Sequence, residues 1–278
     1  MSYRDIVVQT DRADARARYR IAAALAARGK GRLSGVYLKT SLMYQYASID
    51  PIAWLPPDDL NAIVREHDVA QDEAADASGA ALSAVARAVG VACDLDVLNG
   101  DTADDLVARA RSADLLVVPP PSAAPAYNVH ASAVEVGMAI GGPVLVVPET
   151  DAAETEIGAR ILVAWNGGRE ASRALRDALP LMRDGAAIEL RMAHAGADGD
   201  PTARVRSWLE GSGLKVNAVA ARHTDERVAD WLKAEALRAG CDMIVMGLYG
   251  HTRMREFVLG GVSRGMLHEP PLPLLISH

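Results

Sequence analysis

Cysteine is nearly absent from this chain of 278 residues, and the two present, Cys93 and Cys241, stand alone. They form no C-x-x-C pair and no disulfide framework, so both are expected to be buried, reduced thiols. Long apolar runs are missing too. No stretch reaches the roughly 18 residues that a membrane-spanning helix needs. The opening Met1-Ser2-Tyr3-Arg4-Asp5 is charged and lacks the apolar core of a signal peptide, which leads to the expectation of a cytoplasmic chain. Positive charge is not in excess: the formal net charge is −7, which argues against a general nucleic-acid footprint. The seven histidines show no metal-ligand spacing. No lysine completes a G-x-x-x-x-G-K-[ST] loop, and no carboxylate is evidently placed to activate water.

Half of the residues are hydrophobic and 23% are charged, a normal globular balance, and the length suits two domains or one large one. The chain also echoes itself. Ile6-Val7-Val8-Gln9-Thr10-Asp11 matches Ile161-Leu162-Val163-Ala164-Trp165-Asn166. Asp114 to Pro119 matches Asp242 to Gly247, and Pro143 to Val147 matches Pro273 to Ser277. These apolar runs without alternation suit strands covered on both faces. Helical periodicity lies between them. Ala171, Ala174, Leu175, Ala178, Leu179 and Met182 share one face, as do Tyr19, Ala22, Ala23 and Ala26, with Gly29 as the expected stop. A further helix is expected from an N-cap at Thr224, with Val228, Trp231 and Leu232 inward and Gly240 at its end. Strands alternating with helices predict an α/β fold of two tandem, doubly wound parallel-sheet domains related by a pseudo-twofold. The domains are expected at residues 1–149 and 159–278, joined by a linker at 150–158. A proline-bearing stretch from Leu42 to Asp59, with Pro51, Pro56 and Pro57, is expected to be an irregular excursion or a lid.

The chemistry concentrates in the second half. Met243-Ile244-Val245-Met246 reads as a buried strand and runs into Gly247-Leu248-Tyr249-Gly250. Nine residues later come Gly260-Gly261-Val262-Ser263, at the start of a helix. Glycines let backbone approach a ligand, and free N–H groups at a helix start favour an anion. The order strand, glycine loop, helix is a recipe for holding phosphates.

The spacing G-x-x-G, nine residues, G resembles the nucleotide loop of the universal stress protein family, and the likeness extends over essentially the whole chain. It implies an adenine nucleotide alpha hydrolase-like fold, a role in stress response, and binding of ATP, AMP or another adenine nucleotide at the strand ends. The implied site contains Ala164 and Asn166 after the first strand of the second half. Ala193 lies at the adenine wall, with His194 as the alternative. Met246 and Gly247 lie at the base edge, and Gly250, Gly260, Gly261, Val262 and Ser263 surround the phosphates. Two positions depart from the family: Asn166 where aspartate is usual, and Gly261 where serine or threonine is usual. The sequence does not imply magnesium. The first half carries Pro119-Pro120-Pro121 in place of a glycine loop, which removes backbone donors. It therefore reads as a degenerate partner that binds no nucleotide. The family's habit of pairing last strands implies intramolecular domain pairing through Pro143–Val147 and Pro273–Ser277, with room for a homodimer.

Three functions follow from these residues. The leading one is a nucleotide-binding regulatory protein, not an enzyme, with neither membrane nor nucleic acid as partner. The second is an interaction module that has lost nucleotide binding. The third is a hydrolase, because Gly261-Val262-Ser263-Arg264-Gly265 spells G-x-S-x-G. That motif needs a strand entering the turn directly, and here the strand ends near Met246.

Overall fold

The computed structural model describes residues 2–42, 56–99, 103–121, 133–149, 156–193, 200–220, 225–248 and 261–278. The first half runs β1 (Asp5–Thr10), α1 (Arg16–Gly29), β2 (Arg32–Lys39), α2 (Pro57–Ala88), β3 (Ala92–Asn99), α3 (Asp104–Ala110), β4 (Leu115–Val118), α4 (Ala133–Ala139) and β5 (Val144–Val146). The second runs β6 (Arg160–Ala164), α5 (Arg169–Ala178), a 3₁₀ turn (Leu179–Leu181), β7 (Ala187–Met192), α6 (Ala203–Gly211), β8 (Lys215–Ala220), α7 (Asp225–Arg238), β9 (Met243–Gly247), α8 (Gly261–Leu267) and β10 (Leu274–Ser277).

All ten strands join one sheet in the order β3-β2-β1-β4-β5-β10-β9-β6-β7-β8. Pairing is parallel within each half, and the strand order of the two halves is the same. At the centre β5 and β10 run antiparallel, with Leu145 opposite Leu275. This is the mixed α/β architecture expected from the apolar runs. β4, β5 and β10 are buried at every position because helices cover both faces. One core cluster gathers α1, α5 and α6 against one face of the sheet, and the other gathers α3, α4, α7 and α8 against the opposite face.

The repeat extends to side chains. Asp114 Oδ2 accepts the N–H groups of Arg4 at 2.7 Å and Asp5 at 3.0 Å, fastening the start of β1 beside β4. Asp242 does the same for β6, accepting from Gly158 at 2.8 Å, Ala159 at 2.7 Å and Arg160 at 2.9 Å. The halves are also stitched together. Arg28 donates to the carbonyls of Ile157 at 3.1 Å and Leu181 at 2.8 Å, and the Tyr3 hydroxyl donates to the Asp177 carbonyl.

Several expectations are refined. The stretch Leu42–Asp59 is not irregular throughout: its last three residues open α2, while 43–55 lie outside the described residues. Pro57 occupies a position where its missing N–H costs nothing, and Asp58 and Asp59 complement the helix dipole. Gly29 ends α1, yet the left-handed cap is Lys30, at φ 52°. Glycine is required at 29 because a Cβ there would sit 1.8 Å from the Tyr3 carbonyl oxygen. The end of the expected linker is built into the fold, since Ile157 is buried in the core. α7 has Val228 and Leu232 buried and ends before Gly240 at φ 65°, whereas the expected cap Thr224 lies outside the described residues. Of the two cysteines expected to be buried, Cys241 is, and burial pushes its thiol up to about 12, whereas Cys93 is only half-buried, with its thiol raised chiefly by that partial desolvation.

Candidate functional site

The strand order reverses between β6 and β9. From β6 the chain passes through α5 to β7 on one side, and from β9 it reaches α8 and then β10 on the other. α5 packs on one face of the sheet and α8 on the opposite face. The helices that follow two adjacent strands thus lie on opposite faces of the sheet, which makes the carboxyl ends of β6 and β9 a topological switch point, where folds of this kind form a crevice. This is where open α/β sheets take ligands.

Ala164 and Met246 are register partners across β6 and β9, so the expected residues of both strands converge at the crevice floor. Met246 also pairs with Ile276, and Gly247 pairs with Ser277. Backbone unclaimed on the β6 side therefore begins beyond Met246. Ala193 is buried at the end of β7. Gly247 has a packing reason to be glycine. A Cβ there would stand 2.4 Å from the Glu170 carbonyl carbon and 2.5 Å from the Ala171 nitrogen. The first turn of α5 thus lies directly on the end of β9.

Asn166 is exposed, and its Oδ1 accepts the Gly168 N–H at 2.8 Å. Its side-chain carbonyl thus already shapes the turn into α5. Gly167 sits in this turn at φ 76° with open space around its α-carbon. The turn Asn166-Gly167-Gly168 adds backbone groups to the crevice that the sequence reading did not assign. The Asn-Gly dipeptide after a strand was the available signal.

Gly261 is exposed at the start of α8, and a Cβ there would meet nothing within 4 Å. Val262 is half-buried, and Ser263 is 6% exposed on the side that carries buried Met266 and Leu267. The one hydroxyl assigned to phosphate thus lies on the packed side of α8, away from Gly261. Gly250, Gly260 and His194 lie outside the described residues, as do His251, Arg253 and Arg255. A cation not weighed from sequence, Arg169, stands in the first turn of α5, and its guanidinium is paired with Glu170 at 3.0 Å. No cluster of three metal-ligating side chains occurs among the described residues. The G-x-S-x-G serine is the third residue of α8 rather than the turn residue that a nucleophile elbow needs.

The first half differs at the equivalent end. Asp11 follows β1 and engages buried Arg18 of α1, while Pro119 to Pro121 follow β4. No helix among the described residues is long and apolar enough to cross a membrane.

Comparison with known proteins bears on the fold and on the second half. Residues 159–278 match the model of the universal stress protein family, so one domain of that family is present in the chain. No curated protein matches the chain in sequence. Among solved structures, a universal stress protein from Archaeoglobus fulgidus DSM 4304 is similar at TM-score 0.63. The match has 14% identity and covers 98% of this chain and 96% of that one. A functionally unknown protein from Pseudomonas aeruginosa PAO1 is similar at TM-score 0.53. It is 14% identical, with 99% and 92% of the two chains covered. At such identities the likeness speaks for the fold across both halves.

Proposed function

We propose that the second half binds an adenine nucleotide in the crevice between β6 and β9, and that the chain is a cytoplasmic, nucleotide-responsive regulatory protein of stress response rather than an enzyme. The observation that carries this reading is the switch point itself, which lies in the half that matches the family. In this reading Ala164, Ala193 and Met246 line the base. Asn166 and the Gly167–Gly168 turn approach the ribose. Gly250, Gly260, Gly261 and Val262 offer backbone to the phosphates, with Ser263 nearby. The first half is a degenerate second domain whose prolines at 119–121 leave no phosphate cradle, and its role is to complete the sheet through β5 and β10.

Titration calorimetry with ATP and AMP tests the site. ATP should bind once per chain at about micromolar affinity or weaker, and Gly250→Val should weaken it at least about tenfold, equivalent to 1.4 kcal/mol. Equal binding by the variant would remove the assignment.

Two observations favour the alternative of an interaction module without nucleotide. Gly247 is accounted for by packing, and the Asn166 carbonyl is engaged by Gly168. No detectable binding of ATP or AMP to the intact chain would select that alternative.

A further inference from the structure

Arg18 of α1 is a fully buried cation whose hydrogen-bonding capacity is mostly unused. Its side chain is 0% exposed; Nη2 donates to Asp11 and lies 3.8 Å from Glu149 Oε1. Nε and Nη1 have no hydrogen-bond partner among the described residues. The contact with Glu149 is an ion pair too long to be a hydrogen bond, and Glu149 Oε1 is itself buried without one. A guanidinium presents its N–H groups as planar forks that match a carboxylate two bonds at a time. Here the cation is in place, and the fork is engaged through one nitrogen.

The position suits a ligand. Asp11 follows β1 and Glu149 follows β5, both at the carboxyl ends of their strands. Asp11 is 12% and Glu149 25% exposed at the side chain, so these two partners stand between the enclosed guanidinium and the surface. The Tyr19 ring lies 5.7 Å from the guanidinium carbon and shields it further.

We infer that Arg18 anchors a second ligand site, in the first half, for a small carboxylate, and that the Glu149 side chain is an internal stand-in that the ligand displaces. Charge dictates exchange rather than addition. The groups that act on Glu149 are Arg18, Arg12, Asp11 and Asp14, two cations and two anions. With Glu149 itself, three carboxylates already outnumber the two cations, so a further carboxylate fits only where Glu149 leaves. Burial raises the Glu149 pKa, which eases its release as pH falls. The site is independent of the nucleotide crevice, which lies in the other half.

The test uses the full chain, with sodium formate as probe and sodium chloride at equal ionic strength as control. Glu149→Gln removes the internal carboxylate at a part-exposed position and should leave the fold intact. Saturating formate should raise the Tm of that variant by about 3–5 °C over chloride, and that of the wild type by less. Glu149→Gln combined with Arg18→Lys keeps the charge and loses the fork, and should abolish the difference. Line broadening of ¹³C-formate should follow the same order. A folded Glu149→Gln chain that responds to formate no more than to chloride overturns the inference, as does an equal response in the double variant.

Discussion

At the scale of single residues, the crevice separates glycines that packing requires from those it does not. Gly247 has backbone in the way of any side chain, so Gly247→Ala should destabilise the fold by roughly 1–3 kcal/mol, the usual range for overpacking. Urea unfolding would measure it. An unchanged midpoint would mean that α5 shifts freely on β9. Gly261 is the opposite case, with open space where a Cβ would go. Gly261→Ser should leave stability within about 0.5 kcal/mol. In the proposed site it should tighten ATP by up to about tenfold, since one neutral hydrogen bond contributes roughly 0.5–1.5 kcal/mol. Asn166→Asp should keep the bond to the Gly168 N–H and add charge, so any gain should appear with a bound cation and vanish without one. The glycine spacing pointed, from sequence alone, to the carboxyl end of β9, where the strand order reverses. The direction of Ser263 was not legible, because a hydroxyl two positions beyond Gly261 in a helix points to a different side. Nor was the packing role of Gly247, which depends on a helix distant from it in sequence.

At the scale of elements, strands were legible where the chain is apolar on both faces and hidden where buried polar groups satisfy one another. β1, β4, β5, β9 and β10 announce themselves as apolar runs. β7 does not, because Glu189 and Arg191 interrupt it, yet both are buried. Arg191 donates from Nε to Glu235 of α7 at 2.8 Å, from Nη2 to Glu189 at 2.8 Å and from Nη1 to the Asn217 carbonyl at 3.1 Å. Asn217 Nδ2 also donates to Glu189 at 2.7 Å. α2 was hidden for another reason: the side chains it buries are Gln71, Ala75, Ser78, Gly79, Leu82 and Ala86, a stripe too polar and too small to stand out. The ion network ties α7 to β7, and its weak point is Glu235. Hydrogen bonds from Arg238 and then Arg191 hold the Glu235 carboxyl at about 2, below its ordinary 4.5. A carboxyl depressed on folding stabilises fully above its unfolded pKa, and that contribution is lost as pH falls through the folded value. Glu235→Gln should therefore cost stability at pH 7, roughly 1.5–3 kcal/mol, the range for a charged hydrogen bond, because Arg191 keeps its pairing with Glu189. The gap to the wild type should close between about pH 4.5 and pH 2. A gap independent of pH across that window would show that the carboxylate charge is not what holds α7.

At the scale of the whole molecule, the question is whether two similar halves unfold as one. A chain of two autonomous domains would show two transitions, because each core would melt on its own. The structure argues for one. The central strands β5 and β10 pair antiparallel, and one core cluster contains Leu25, Ala26 and Leu145 from the first half together with Ile157, Leu181 and Leu275 from the second. Arg28 reaches across to two carbonyls of the second half, and the Tyr3 hydroxyl reaches the Asp177 carbonyl. Separation would expose the inner edges of both sheets and the apolar faces beside them, which no isolated half could cover. Calorimetry should therefore give a single transition whose van't Hoff and calorimetric enthalpies agree. Leu275→Ala, at a fully buried position opposite Leu145, should lower the stability of that one transition by about 3 kcal/mol without splitting it. Arg28→Met should lower it by less, because the lost bonds end on carbonyls rather than on charges. If Leu275→Ala instead separates the curve into two transitions, with Arg28→Met shifting only one of them, the halves are coupled loosely. The first half could then be cut away without unfolding the crevice between β6 and β9.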